Sequence, residues 1–284
     1  MFQGSKLTIS SSDPLFQRTL VNVVRQNPHL FSGGDTTAGT EFPVDDQTWS
    51  GLPVIFDEVF TGLYRLGRFS AASFLGVDAD ISVHAKLLTG GLVPLSMTLA
   101  SESIFRAFES DDKSDALLHG HSYTAHAVGC QVALESVREM QRMEARGDWA
   151  WAAAAVKQED RGDAAGLNSA KSLTWSVWSP EFVLWLGQLA ETNLVAGVWA
   201  LGTVLAIKLT SVDGTEGYKG GAAKAVQAAL LQGSEAGDET RWNVHTRVLG
   251  NTLYLMAGQK TTQESVRGLE ALLRKVLMKA SEKA

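Results

Sequence analysis

The spacing of apolar and polar positions divides the first half of the chain into short strands and helices. Asp13-Pro14 predicts a helix start, an aspartate N-cap with proline at the first helical position. Leu15, Phe16, Leu20, Val23 and Val24 follow at helical spacing, and the helix is expected to end near Asn27-Pro28. Leu30 to Ser50 is rich in Gly, Ser, Thr and Asp and reads as a surface excursion, longer than most loops inside a compact domain. Leu52-Pro53-Val54-Ile55-Phe56 is a continuous apolar run closed by Asp57-Glu58, the pattern of a buried parallel strand. Ala79 to Ala85 predicts a second such strand, closed by Lys86 and a Thr89-Gly90-Gly91 turn, and Leu95 to Ala100 a third. Helical spacing fills Ser103 to Phe108 and Ala125 to Arg146. Strands that alternate with helices imply a parallel sheet covered on both faces.

The pattern changes after Arg146. Trp149, Trp151, Trp175, Trp178, Trp185 and Trp199 cluster there, read as core and interface material, and Asp160 to Ala170 reads as a loop. A domain boundary is therefore expected between Gly147 and Gly166, giving domains 1–150 and 151–284. Val195 to Leu209 has strand character and leads to a Gly-Ala-rich helix from Tyr218 to Leu231. Arg247-Val248-Leu249, Gly250-Asn251 and Leu253 to Met256 predict a hairpin. Val266, Leu269, Leu272, Leu273, Val276 and Leu277 form one stripe of a final helix, expected to pack on that sheet. The second half thus reads as a smaller α+β domain.

Composition removes several function classes. With 45% hydrophobic and 20% charged residues among 284, the chain has the balance of a folded protein with a core, not of a disordered one. A net charge of -6 without a basic tract argues against nucleic acid. The single cysteine, Cys130, excludes a disulfide framework and a multi-thiolate metal site, and its place in a small-residue helix predicts a packing role. No apolar run is long enough to span a bilayer, and Met1 to Ser12 carries neither an apolar core nor an Arg-rich face, so a soluble intracellular protein is expected.

The candidate chemistry begins with Asp57 and Lys86, a carboxylate and an amine at the carboxyl ends of two predicted strands, where open α/β sheets bind ligands. A pyridine ring between them would find an acceptor for its protonated nitrogen and an amine for its aldehyde; the plain alternative is a solvated pair at strand ends. Val59, two residues past Asp57, would share its side of an extended chain and press on the ring. His119-Gly120-His121-Ser122-Tyr123-Thr124-Ala125-His126 is a polar loop opening onto a helix, suited to a phosphate. Its three histidines also admit a metal site, weighed below ordinary loop histidines because no carboxylate or thiolate pattern accompanies them. Dinucleotide, P-loop and nucleophile-elbow motifs are missing from the sequence.

Three segments together resemble a known family: Val54 to Gly67, reading Val-Ile-Phe-Asp-Glu-Val-Phe-Thr-Gly-Leu-Tyr-Arg-Leu-Gly; Ala85-Lys86-Leu87-Leu88-Thr89-Gly90-Gly91; and His119 to Tyr123. In that order and spacing the chain is similar to class III pyridoxal-phosphate aminotransferases, from about Asp13 to the last helix. The resemblance implies an α/β protein of the pyridoxal-phosphate-dependent transferase fold, type I. Residues 1–150 would be the later part of its large parallel or mixed-sheet domain, and 151–284 its small α+β domain. Within the class the likeness is to the aminotransferases of biotin synthesis, in the form eukaryotes join to dethiobiotin synthetase. It implies pyridoxal 5'-phosphate as cofactor, Lys86 as the Schiff-base lysine and proton shuttle, and Asp57 as partner of the pyridinium nitrogen. Ser122, and more weakly Thr124, would meet the cofactor phosphate across a homodimer interface. Arg247 would bind the substrate carboxylate, and Arg65 would be a second substrate-side arginine or else a surface salt bridge. The implied reaction is amination of 8-amino-7-oxononanoate with S-adenosylmethionine as donor, in the mitochondrion or alternatively the cytoplasm.

The family also has, ahead of the strand ending at Asp57, a Gly-Ser phosphate turn and an aromatic residue stacked on the ring, with no counterpart in this sequence. An N-terminally truncated large domain with an exposed sheet edge and exposed apolar helix faces is expected. Three readings follow: a working aminotransferase or a piece of one; a non-catalytic remnant that acts by dimer-type pairing; and a class III enzyme for another omega-amino substrate.

Overall fold

The computed structural model describes residues 13–27, 30, 52–117, 120–153, 175–211, 214–215, 219–233 and 243–281. Asp13 caps α1 (Pro14–Gln26) as its sequence predicts, its carboxylate accepting the Leu15 amide at 2.7 Å. The buried face of α1 is not the expected stripe, however: Leu15, Phe16 and Leu20 are exposed, and Gln17, Val21 and Arg25, four residues apart, face inward. The deciding contact is electrostatic. Arg25 and Asp80, both buried, meet at 3.2 Å, and Asp80 also accepts the Val54 amide at 2.7 Å. Val21 packs with Leu75 and Val77, against Val54 and Phe56.

The first sheet has the order β1 (Ile55–Asp57), β2 (Ile81–His84), β3 (Met97–Ala100) among the described residues. β1 and β2 are parallel, with Asp57 opposite Val83, as the apolar runs predicted. Two expectations fail. β3 is antiparallel to β2, because the connection between them holds a 3-10 turn and the Gly90-Gly91 turn but no crossover helix. The strands are also less buried than a sheet covered on both faces requires: β1 is an edge, Ile55 is 52% exposed, and all of β3 is exposed. Short helices α2 (Ala72–Leu75) and α3 (Glu102–Arg106) flank these strands in sequence, and α4 (Ala127–Arg146) follows. Cys130 on α4 is exposed rather than packed, because the inward face there runs through Gly129 and Ala133.

After α5 (Ala150–Ala153) and α6 (Pro180–Gln188) comes an antiparallel sheet of order β4-β5-β7-β6, comprising β4 (Val195–Leu201), β5 (Val204–Leu209), β6 (Arg247–Leu249) and β7 (Thr252–Met256). The expected single stretch from Val195 to Leu209 is a hairpin that reverses at Gly202-Thr203. β5 lies inside the sheet, with every residue but Lys208 buried. Helix α7 (Ala222–Gln232) lies over β5, β6 and β7, and α6 against β4. The Arg247–Met256 hairpin stands as predicted. Helix α8 (Gln263–Ser281) buries Val266, Leu272, Leu273 and Leu277 of its predicted stripe and packs on α7. Glu270 is buried with them, a carboxylate the stripe did not anticipate, and accepts the Ser179 amide at 2.7 Å and its hydroxyl at 2.9 Å.

The fold separates into two compact units: Ser11–Leu63 with Phe69–Gln141, and Arg142–Ala284 with the short segment Tyr64–Arg68. Within the second unit Gly67 (φ 83°) and Gly202 (φ 57°) lie where the Arg65–Gly67 backbone meets the β4–β5 turn and Trp175; a Cβ at Gly67 would collide with the Trp175 carbonyl. Trp175 stacks on Trp149 at 4.9 Å, so it has no room to retreat. Gly67→Ala is expected to destabilise the second unit by about 2–3 kcal/mol through left-handed strain and the clash. Urea unfolding followed by tryptophan fluorescence measures this, and an unchanged midpoint contradicts the close approach.

Candidate functional site

Asp57 ends β1, and Lys86 lies two residues past the end of β2. Because the strands are parallel and in register, both side chains leave the same carboxyl edge of the sheet. Asp57 is partly exposed and accepts the Val59 amide through Oδ1 at 3.1 Å. Val59 is adjacent, as expected, but not by the expected route. The chain turns immediately after Glu58, so Val59 belongs to a turn and not to an extended strand. The neighbour that sequence reasoning missed is Phe60, whose ring centre is 5.9 Å from Lys86 Nζ.

Lys86 has φ 51°, the left-handed region, where its Cβ crowds the backbone at a cost of about 1–2 kcal/mol. The surroundings over-determine that conformation. Ala85 O accepts the Leu88 amide at 3.1 Å and Lys86 O the Thr89 amide at 3.2 Å, closing the 3-10 turn Lys86–Leu88. Leu88 is buried, Thr89 Oγ1 donates to Val93 O at 2.7 Å, and Ser136 of α4 donates to Leu87 O at 2.8 Å. Lys86 is an exposed residue beyond the strand end.

Ser122 and Thr124 lie in the exposed turn before α4, in the same compact unit. Thr124 Oγ1 accepts the His121 amide at 2.8 Å, and Ala125 (φ 54°) reverses the chain into the helix. His121 and His126 each use Nδ1 to accept a backbone amide, from Tyr123 and Gly129, both at 3.1 Å. These imidazoles thus shape the turn. His119 lies outside the described residues.

The two arginines differ sharply. Arg247 is exposed at the start of the edge strand β6. Arg65 is 9% exposed, so it is not a surface salt bridge. It donates to Thr203 Oγ1 at 3.4 Å and Ala257 O at 3.5 Å, and burial pushes its guanidinium down to about 10. Beside it, Tyr64 donates its hydroxyl to Glu144 at 2.6 Å.

The family model described as "Aminotransferase class-III" matches residues 47–159, which include Asp57, Lys86, Ser122 and Thr124. Over that stretch the chain is similar to class III aminotransferases. The Emericella nidulans bifunctional dethiobiotin synthetase/adenosylmethionine-8-amino-7-oxononanoate aminotransferase is 54% identical over 94% of this chain and 32% of its own length. The corresponding mitochondrial protein of Arabidopsis thaliana is 35% identical over 93% of this chain and 26% of its own. Solved structures agree on the fold. A transaminase with L-alanine superposes with a TM-score of 0.61 at 20% identity, covering 82% of this chain and 47% of that one. The Toxoplasma gondii ornithine aminotransferase gives 0.59 at 18%, covering 82% and 45%. The chain therefore spans about a quarter to a third of the length of the bifunctional relatives it matches.

Sequence and structure agree on Asp57 and Lys86 as neighbours at one sheet edge, whereas Arg65 and Arg247 belong to the other compact unit. The left-handed lysine carries a measurable consequence. Lys86→Gly is expected to be more stable than Lys86→Ala by about 1 kcal/mol, because only glycine is relaxed there. Equal unfolding midpoints in urea would contradict the strained turn.

Tyr64 gives a second test. Burial, then the hydrogen bond and charge of Glu144, raise its phenol well above the ordinary tyrosine value. A raised acid contributes stability that is complete below its unfolded pKa of about 10 and is lost as pH rises through the folded value. Wild type should therefore lose stability above about pH 10 more steeply than Tyr64→Phe. Urea midpoints measured across that range check it, and parallel slopes would refute it.

Proposed function

We propose that this chain supplies the lysine and aspartate of a pyridoxal-phosphate aminotransferase site for 8-amino-7-oxononanoate, with S-adenosylmethionine as donor. The carrying observation is the placement of Asp57 and Lys86 at the carboxyl ends of adjacent, in-register parallel strands, with Lys86 held in a strained turn. The names of the E. nidulans and Synechococcus elongatus relatives support the substrate and donor.

Pyridoxal phosphate fits this donor set. Asp57 is a carboxylate whose Oδ1 is directed by the Val59 amide, suited to a protonated ring nitrogen, and Lys86 is an exposed residue whose amine is suited to an aldehyde. Val59 and Phe60 supply apolar surface beside them, and the Ser122 and Thr124 hydroxyls suit the phosphate. When bound, the cofactor supplies an electron sink for the carbon that loses its proton. Lys86 Nζ takes that proton and later delivers it, one group acting as base and then acid. Asp57 keeps the facing nitrogen protonated by charge. Arg247, exposed on β6, pairs with the substrate carboxylate through a two-pronged guanidinium contact. Arg65, desolvated and engaged within its own unit, positions backbone and does not reach for substrate.

In this reading residues 1–150 are the later part of the large domain and 151–284 the small one, and two copies pair so that Ser122 serves the neighbouring site. A mitochondrial location, carried in the names of the rice and Arabidopsis relatives, belongs to the same proposal. The cytoplasm is its alternative.

The test is the visible imine band of the purified chain with pyridoxal phosphate, alongside Lys86→Ala. A weak band that disappears in Lys86→Ala is expected. A band that survives the substitution sinks the role of Lys86, and no band in wild type favours a non-catalytic chain that works by pairing. Where amino transfer is measurable, Arg247→Ala should raise KM for 8-amino-7-oxononanoate roughly 30-fold, the loss of a charge-assisted contact of about 2 kcal/mol. Assays with ornithine and other omega-amino donors separate the remaining class III substrates.

A further inference from the structure

Glu58 is heavily engaged beside the site, yet the reaction described above gives it nothing to do. Its carboxylate is 4% exposed and accepts three hydrogen bonds from one stretch: Ser70 Oγ at 2.6 Å, the Ala71 amide at 2.9 Å and the Ala72 amide at 3.0 Å. These donors stand at the start of α2, which has no side-chain cap of its own. The Glu58 backbone is committed as well. Its N–H donates to Val83 O at 2.9 Å, extending the β1–β2 pairing one residue past Asp57, and its carbonyl accepts the Gly62 amide at 3.0 Å.

A buried carboxylate is costly to desolvate, and an apolar residue of similar volume often serves packing as well. What an apolar residue cannot do is bind two adjacent amides and a hydroxyl at once. The carboxylate therefore acts as a clamp, joining the turn after β1 to the start of α2. The turn it clamps contains Val59, whose amide directs Asp57 Oδ1.

We propose that Glu58 is the positioning residue for Asp57, fixing the aim of its carboxylate by immobilising the turn that follows it. The inference rests on the reading of Asp57 as partner of a ring nitrogen. A loosened clamp frees Val59, and a freed Val59 amide lets the Asp57 carboxylate rotate away from the edge it shares with Lys86.

Two variants separate the clamp from general stability. Glu58→Gln keeps the volume but turns an NH₂ group toward amide donors, whereas Ser70→Ala removes one of the three bonds and leaves the charge in place. Hydrogen exchange of the Val59–Gly62 amides, read in the chain without cofactor, should rise about tenfold in Glu58→Gln and severalfold in Ser70→Ala, with the β6–β7 hairpin unchanged. With pyridoxal phosphate, affinity should fall about tenfold in Glu58→Gln, and the pH midpoint of the bound absorbance band should shift in the same direction as in Asp57→Asn. Unchanged exchange at these amides overturns the proposal. So does a uniform rise across the whole first unit, or weakened affinity without the midpoint shift, since each describes a merely structural carboxylate. A wild-type chain that binds no cofactor counts against the functional reading alone, and the exchange measurement still decides the clamp.

Discussion

The stretch from Asp57 to Gly67 is the constraint on which the rest of the structure depends, because consecutive residues must satisfy two compact units. Its first part finishes the β1–β2 pairing and carries the carboxylate at the sheet edge. Its second part is drawn into the other unit, where Tyr64 meets Glu144 and Trp149, and the Arg65 carbonyl accepts the Thr203 amide at 2.9 Å. Between them the backbone takes positive φ at Leu63 and Tyr64, two non-glycine residues in succession. Strain of about 1–3 kcal/mol at each persists only where the surroundings leave no alternative. Here the Leu63 and Tyr64 amides are held by Phe69 O at 2.7 Å and Arg68 O at 2.9 Å, and both side chains are buried.

A common device secures both units: a buried acceptor, distant in sequence, caps the start of an element. Glu58 does so for α2, Asp80 holds the Val54 amide just ahead of β1, and Glu270 takes the Ser179 amide at the start of α6. Asn251 takes the Ala222 amide at the start of α7, whose preceding residue is glycine. Hydrogen bonds to charged acceptors contribute about 1.5–3 kcal/mol each, and leaving such a buried carboxylate unsatisfied costs more. These contacts therefore fix the angles at which helices meet their sheets more firmly than helix propensity does.

The same device explains what could and could not be read in the sequence. Local signals survived: Asp13-Pro14, the Arg247–Met256 hairpin, the α8 stripe and the Asp57/Lys86 strand ends are all dictated by neighbours within a few residues. The α6 start was equally legible in Ser179-Pro180, where the Ser179 hydroxyl accepts the Phe182 amide, a signal of the same kind as Asp13-Pro14. Non-local facts were not legible. Nothing in the run Leu95 to Ala100 distinguishes a parallel from an antiparallel partner, and no periodicity reveals that Arg25 is held inward by Asp80 while Leu15 and Phe16 face out. Val59 failed for a related reason: the rule of two applies to a strand, and the chain leaves the strand after Glu58, whose carbonyl accepts the Gly62 amide and closes a turn over Val59.

Burial also separates the two arginines, of which the resemblance assigns Arg247 the substrate carboxylate and leaves Arg65 between a second substrate-side role and a surface salt bridge. A guanidinium that is to bind a substrate carboxylate must keep its donors directed outward until the substrate arrives. Buried Arg65 directs Nη1 to Thr203 and Ala257, and its carbonyl accepts the Thr203 hydroxyl, so it holds the 64–68 segment against the β4–β5 turn. Arg247 has the opposite surroundings. Its side chain is exposed, yet its backbone is registered opposite Tyr254, and the preceding Thr246 carbonyl accepts the Gln227 side chain at 2.8 Å. The hairpin turn behind it is pinned by Asn251, which donates to Thr215 O at 2.7 Å while capping α7. A fixed backbone removes the backbone share of the ordering cost from any contact the guanidinium makes and leaves the side chain's own rotamer cost. That asymmetry, set by packing and not by residue type, gives Arg65 a structural task within its own unit and leaves the Arg247 side chain exposed on a fixed backbone.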